Sequence, residues 1–478
     1  MSLLVPAVAN AGRYGVRDLR VLSGPSPFTA GCPGAAFDAT NITGHELETT
    51  ITVSPSNPRH IVAAWKQDVG PDSTRSDLVA SSRDRGRTWT RHTIPGLSRC
   101  TGGIADGATD PWLSAGPDGT VYLIGGALFL STEPAGAIVA SRSTDDGRSW
   151  ASPATVAAPD TRNDKPAVTA DPARKGHAYA IWANWDRTFN FPFANLLLSA
   201  RTDNGGATWS EPVTIDAPPS NALDQASVIV VMGDGTLVAV YTRQSFFPDF
   251  TATQQFLASR SRDGGRTWLP PVEIASMPLQ PFSDPETGEE LPSPQFVTAA
   301  AGKHGDVYVA WEHDTSAAAG GIDVATSRDG ARTWRVSALP GVSAYAFEPS
   351  LAVDSHGTVG LTWYDLRNDR PGDAALTADV WFAHSDRSRA PWRQTHVAGP
   401  TDLRTAPLPR HNRVGEYQGL AALGGQGFAA IFTLAAPRAR NGPTDIFFAR
   451  IAPGCGHHAR CNRDGPAGRG RSRLRSTF

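Results

Sequence analysis

One eight-residue pattern recurs along the chain and limits what it can fold into. It runs Ser-x-Asp-x-Gly-x-Thr/Ser-Trp, and Ser82–Trp89, Ser143–Trp150 and Ser261–Trp268 match it in full. Thr202–Trp209 carries Asn204 in place of the Asp, Ser327–Trp334 carries Ala331 in place of the Gly, and Ser385–Trp392 keeps only its two ends. The tryptophans stand at 89, 150, 209, 268, 334 and 392, at intervals of 61, 59, 59, 66 and 58. A near-constant period of this length is the mark of a repeat architecture.

Each box follows a short apolar run, such as Leu78-Val79-Ala80 or Phe256-Leu257-Ala258, and an extended run usually follows. The box therefore reads as a hairpin turn. Its Asp accepts bonds from nearby backbone N–H groups and its Gly adopts positive φ. Its Trp folds back, buries its ring and finds a partner for the indole N–H. On this reading the boxes are peripheral and structural.

The pattern resembles the Asp-box (BNR) repeat of sialidases and related β-propellers. The resemblance implies an all-β propeller with four antiparallel strands per blade. Activity is less narrowly implied, because such boxes also occur in lyases, other glycosidases and non-enzymatic propellers.

Every unit repeats one order: an inner strand with a polar start, a turn, a strand ending in an aromatic, then the box hairpin. Inner strands begin near Glu48, Asp110, Asp164, Asp224, Gln295, Glu348 and Glu416. The seventh unit, from Glu416, runs out without a box or a fourth strand. An open edge strand invites mispairing, so the Arg20 region is expected to supply the missing strand. Seven blades are predicted, with six, the sialidase number, as the runner-up. The chain divides into an N-terminal segment (1–45) with the closing strand, one propeller domain (46–454) and a basic, disordered tail (455–478).

With 19% charged residues and a net charge of −2, composition gives no case for nucleic acid or membrane binding. No apolar run is long enough to span a bilayer. Residues 1–11 end in Ala9-Asn10-Ala11, the form of a signal-peptidase site on a short stretch without a basic start. Cys32 with Cys100, and Cys455 with Cys461, are candidate disulfides. The first feature has two readings, the stub of a longer signal or an ordinary apolar N-terminus; the cysteines point to a secreted protein, with four free thiols in a cytosolic protein as the alternative.

The inner strands of a propeller converge at the mouth of its channel. Here that end gathers Glu48, Asp110, Asp164 with Lys165, Asp224, Glu348, and Glu416 with Tyr417. So many carboxylates are costly together unless protons, cations or a ligand offset them. Carboxyls driven to different pKa values are what glycosidic cleavage needs. Strand caps are the bland alternative. After the second strands, Arg187, Arg243 and Arg367 recur at similar places, with Trp185 and Tyr364 beside them as sugar-stacking candidates. Guanidinium groups would suit a substrate carboxylate; pairing with neighbouring Asp residues is the alternative.

Resemblance to sialidases implies an arginine triad, matched only by type in Arg187, Arg243 and Arg367. It also implies a Tyr/Glu nucleophile, here Tyr417 with Glu416 or Glu348, and an Asp acid/base, here Asp110. The Arg-Ile-Pro motif that opens many sialidases is missing. The expected function is a sialidase-like hydrolase of a terminal, acidic sugar. A uronic-acid lyase, using Tyr417 or His313, and a non-catalytic glycan- or protein-binding propeller are the alternatives. No cofactor is implied; calcium on the carboxylate ring has no motif behind it.

Overall fold

The computed structural model describes residues 14–71, 73–130, 135–159, 162–185, 195–279, 282–291, 296–302, 304–313, 320–343, 345–386, 391–407 and 413–454. Cys455, Cys461 and the basic tail lie outside them, as do Arg187 and Gln295. The chain is all-β: its only helical elements among the described residues are three 3-10 turns of three residues each.

Apart from a short pair, Phe282–Ser283 with Glu290–Leu291, the strands form antiparallel four-stranded sheets in chain order. The first is Glu46–Val53, Ile61–Val69, Thr74–Ser82 and Thr90–Thr93. Five more begin with Gly107–Ala115, Arg162–Ala170, Ala222–Val231, Thr298–Ala301 and Ala346–Val353, each followed by its next three strands; a single parallel bridge, Arg162 to Gly136, joins the second and third. The last comprises Gly419–Ala422, Phe428–Ala435 and Thr444–Pro453. Its outer strand is Tyr14–Val21, which pairs with Thr444–Pro453 so that Arg20 faces Phe448.

The second strand of each sheet is apolar on both faces because each sheet is covered on both flanks. Trp65, Trp182, Tyr241, Trp311, Trp363 and Phe432, in the middle part of these strands, are all buried. An apolar core fills each gap between successive sheets. Another lies between the last sheet and the first, joining Ile431, Ile446 and Phe448 to Ile51, Trp65 and Leu78.

The eight-residue boxes turn the third strand into the fourth. In Ser82–Trp89 the Ser82 hydroxyl donates to Asp84 (2.9 Å) and accepts from the Gly86 N–H (2.9 Å). Asp84 accepts from the Thr88 N–H and hydroxyl. The same bonds recur in the boxes at 143 and 261. Burial works against ionisation of Asp145, but bonds from Ser149 and Ser143 hold its carboxyl down at about 2. The expected ring burial holds for Trp150, which is 7% exposed and donates to the Gly147 carbonyl. The other box tryptophans are only partly buried, since their rings sit at the rim of the inter-sheet cores. Trp150→Ala is therefore expected to cost about 3–5 kcal/mol, and Trp268→Ala less, as read from denaturant midpoints. Equal costs would mean that burial does not set the effect.

One irregularity positions the site. In five sheets the first strand carries an extra residue at the same place, a β-bulge that breaks the pairing register. At that place Glu48, Asp110, Lys165, Ala226 and Glu348 take φ of 52°, 55°, 51°, 51° and 50°. Non-glycine residues pay roughly 1–3 kcal/mol for such a conformation, and it concentrates at functional sites. Pro follows the bulge residue in three cases, Pro111, Pro166 and Pro349, where a missing ladder donor does no harm.

Candidate active site at the channel mouth

Three of the bulges aim their side chains into one cavity of about 230 Å³, lined by Glu48, Lys66, Asp110, Arg162, Asp164, Lys165 and Glu416 among others. These residues come from the first, second and third sheets and, for Glu416, from the segment leading into the last. Five are sequence candidates, and the structure brings them together. Gly415, at φ 120°, lets that segment approach Glu48 closely: a Cβ there would stand 2.8 Å from the Glu48 nitrogen.

Two lysines knit the carboxyls. Lys66 Nζ lies 2.9 Å from Glu48 Oε1 and 3.2 Å from Asp110 Oδ1. Asp110 also accepts the Thr109 hydroxyl at 2.7 Å. Lys165 bonds Glu416, joining the third sheet to the segment leading into the last, and stands 4.9 Å over the Phe296 ring. Below this pair a second cavity of about 220 Å³ runs between the inner strands, with Trp112, Phe296 and Tyr417 in its wall.

The same surroundings drive the carboxyls apart. Burial pushes Glu48 well above the ordinary carboxylate range; Lys66 pulls it back, while Asp110 and Glu416 add to the rise. Burial lifts Asp164 to about 6, with Lys165 opposing and Asp110 and Glu416 adding. Asp110 goes the other way: burial would raise it, but Lys66 and Lys165 outweigh burial and hold it well below its usual value. Burial would also discharge both ammonium groups, yet the carboxylates around them raise both. Glu48 Oε2 is buried without a hydrogen-bond partner. The cavity thus holds two carboxyls inclined to keep a proton and one inclined to lose it.

The remaining candidates lie elsewhere. Tyr417 is buried beneath the mouth, donates to the Pro111 carbonyl at 3.1 Å and packs on Trp112 and Phe296. Burial, then Glu48 and Asp110, push its hydroxyl well above its ordinary value. Glu348 points into a separate small pocket with Arg413 and Val414. Burial, then Glu312, keep it strongly inclined to hold its proton. Arg243 grips Asp224 of its own sheet through two bonds of 2.7 and 2.8 Å and Asp216, at the end of the third sheet, at 2.8 Å. Arg367 bonds Asp365 and Gln394 and stacks on Trp381 at 4.1 Å. Tyr364 is buried against Phe347 and donates to the Thr433 carbonyl; Trp185 packs with Leu223 and Ala183. None of Asp224, Arg243, Arg367, Tyr364 and Trp185 lines the cavity. His313 is paired with Asp323 at 3.1 Å.

No protein-family model and no curated protein sequence matches the chain. Solved structures do. A protein of unknown function from Dyadobacter fermentans aligns over 92% of this chain and 99% of its own, at 14% identity and a TM-score of 0.50. An α-L-arabinanase from Penicillium chrysogenum, complexed with arabinobiose, aligns over 78% of this chain and 98% of its own (16% identity, TM-score 0.49). A Hadza microbial sialidase aligns over 82% and 76% (17% identity, TM-score 0.46). The likeness is one of fold.

Two cavity residues are not among the sequence candidates: Arg162, and Lys66, which the sequence places after the first unit's second strand without singling it out. The signal for Lys66 is its pairing opposite Leu47, the residue just before the bulge. Arg243 stands one step further along its own strand, after the partner of Gln225. Successive strand residues face opposite ways, so the two cations serve different faces.

Proposed function

We propose that the chain is a seven-bladed β-propeller that hydrolyses a glycosidic bond at its channel mouth. The sheet order, with a core in every gap and one between the last sheet and the first, supports the closed ring. The observation that carries the reaction is the convergence of Asp110 and Asp164 on one cavity, in surroundings that drive their ionisation apart. Two carboxyls whose surroundings separate their pKa values supply an acid and a base. Asp164 donates its proton to the leaving oxygen. Asp110, ionised, attacks the anomeric carbon or activates water. Glu48, neutral and buried beside Asp110, helps to hold Asp110 as the anion.

The cavity is smaller than the roughly 300–1,000 Å³ of pockets for drug-sized ligands, which suits one terminal sugar. The sialidase-like reading of an acidic sugar loses the support of Arg243 and Arg367, both engaged by carboxylates of their own sheets. Export fits the Cys32–Cys100 disulfide.

The test is a panel of neutral and acidic aryl glycosides, with release of the aglycone measured across pH. Hydrolysis is expected, with kcat/KM falling about tenfold per unit above pH ~6, because the acid must be protonated to act; the midpoint belongs to the coupled cluster. An unsaturated product from a uronic acid polymer would establish a lyase instead. Binding without turnover on any glycoside would leave a recognition module.

A further inference from the structure

Four carboxyls, Glu48, Asp110, Asp164 and Glu416, line the cavity; Glu416 is taken by Lys165, and among the other three the proposed chemistry needs Asp110 alone to be ionised. We propose that Lys66 is the positioning residue that fixes this choice, its ammonium shared between Glu48 and Asp110 and holding Asp110 as the anion. The inference rests on the hydrolase reading of the site.

The geometry singles out Lys66 over the other cations. Its side chain is 12% exposed, and its Nζ reaches both carboxyls, at 2.9 and 3.2 Å. Lys165 also faces Asp110, but its ammonium is engaged by Glu416. Arg162 lines the same cavity. The acids facing Asp110 are Glu48 from the first strand of the first sheet, Asp164 from the third sheet, Glu416 from the segment leading into the last, and Asp77 from behind.

Asp77 is the cross-strand neighbour of Lys66 and is buried, with both oxygens unpartnered. It sits against Gly125, where a Cβ would come within 3.1 Å of its carboxyl. Burial, then Asp110, favour the neutral form of Asp77. A neutral Asp77 leaves the Lys66 charge to the two carboxyls at the mouth. Glu48, in turn, holds Lys66 in place without needing a charge of its own.

The experiment replaces Lys66 by Met, Gln and Arg, Lys165 by Met and Asp77 by Asn. Two readouts are taken on each folded variant, judged by its melting curve. One is the carboxyl carbon resonance of Asp110, assigned by comparison with Asp110→Asn and titrated by NMR. The other is the acid limb of kcat/KM on whichever glycoside is turned over. Losing an adjacent opposite charge should raise the Asp110 titration by about 1–3 pH units in Lys66→Met and Lys66→Gln. Lys66→Arg should keep it low, Lys165→Met should move it less, and Asp77→Asn should leave it in place. An Asp110 titration unmoved by Lys66→Met and Lys66→Gln, or moved as far by Lys165→Met or Asp77→Asn, overturns the proposal. The NMR titration needs no substrate, so a failure of the hydrolase reading would show separately, as absence of turnover in the unmodified protein.

Discussion

Asp110→Asn and Asp164→Asn are each expected to lower kcat/KM by roughly 10²–10⁴-fold, the range for removing a positioned acid or base, with melting temperatures close to the parent's. The two losses should differ in kind. Asp164 assists departure of the leaving group, so its loss should be severe for poor leaving groups and mild for activated aryl glycosides. The decline of activity above pH ~6 should vanish with it. Asp110 acts on the anomeric carbon or on water, so its loss should be felt on every substrate. Azide, a small anionic nucleophile, should restore part of the lost rate if the anionic role is the missing one. Both side chains are held by neighbours that survive the change: Thr109 bonds Asp110, and the Lys165 N–H donates to Asp164 at 2.9 Å. Full activity in either variant would remove the mouth carboxyls from the chemistry.

The second large effect concerns the ends of the chain. Deleting residues 1–25 removes Tyr14–Val21, the outer strand of the last sheet. It also removes Leu22, buried in the core between the last sheet and the first. The Tyr14 ring goes too, from 5.7 and 5.9 Å off Phe382 and Phe428. A buried Leu alone is worth about 2–5 kcal/mol, so in a chain of this length the melting temperature should fall by at least roughly 2 °C. The bared edge of Thr444–Pro453 should promote association. A synthetic peptide spanning residues 14–25 should recover part of the loss by adding back the strand. A melting curve unchanged by the deletion would mean that the strand contributes nothing to the fold.

What could be read from sequence was local or periodic. The boxes are complete within eight residues, so their turn chemistry needs no tertiary information. Their spacing then gave the strand order, and the missing fourth strand after Ile446 pointed to the N-terminal segment. Convergence of Glu48, Asp110, Asp164, Lys165 and Glu416 was legible for the same reason, since equivalent positions of repeated units meet at one end. Facing direction was not legible. It depends on a one-residue bulge, which flips every later side chain to the other face. Arg243 and Arg367 were therefore attractive by type, although carboxylates of their own sheets hold them. Lys66 could be placed on the mouth face by its strand but not singled out, because only the fold brings it beside Asp110.

The pairing of Tyr14–Val21 with Thr444–Pro453 spans almost the whole chain: Arg17 reaches the Pro453 carbonyl across a sequence separation of 436. On a ribosome adding ~5–20 residues per second, the first strand emerges roughly 20–90 s before its partner exists. Throughout that interval an unpaired strand waits beside a growing stack of finished sheets. Successive sheets can settle on one another as they appear, but the gap between last and first can fill only after release of nearly the entire polypeptide. Factors that shield exposed strands in newly made chains would thus act on this protein mainly at its amino-terminal end, and chains truncated by premature termination would all present the same waiting strand.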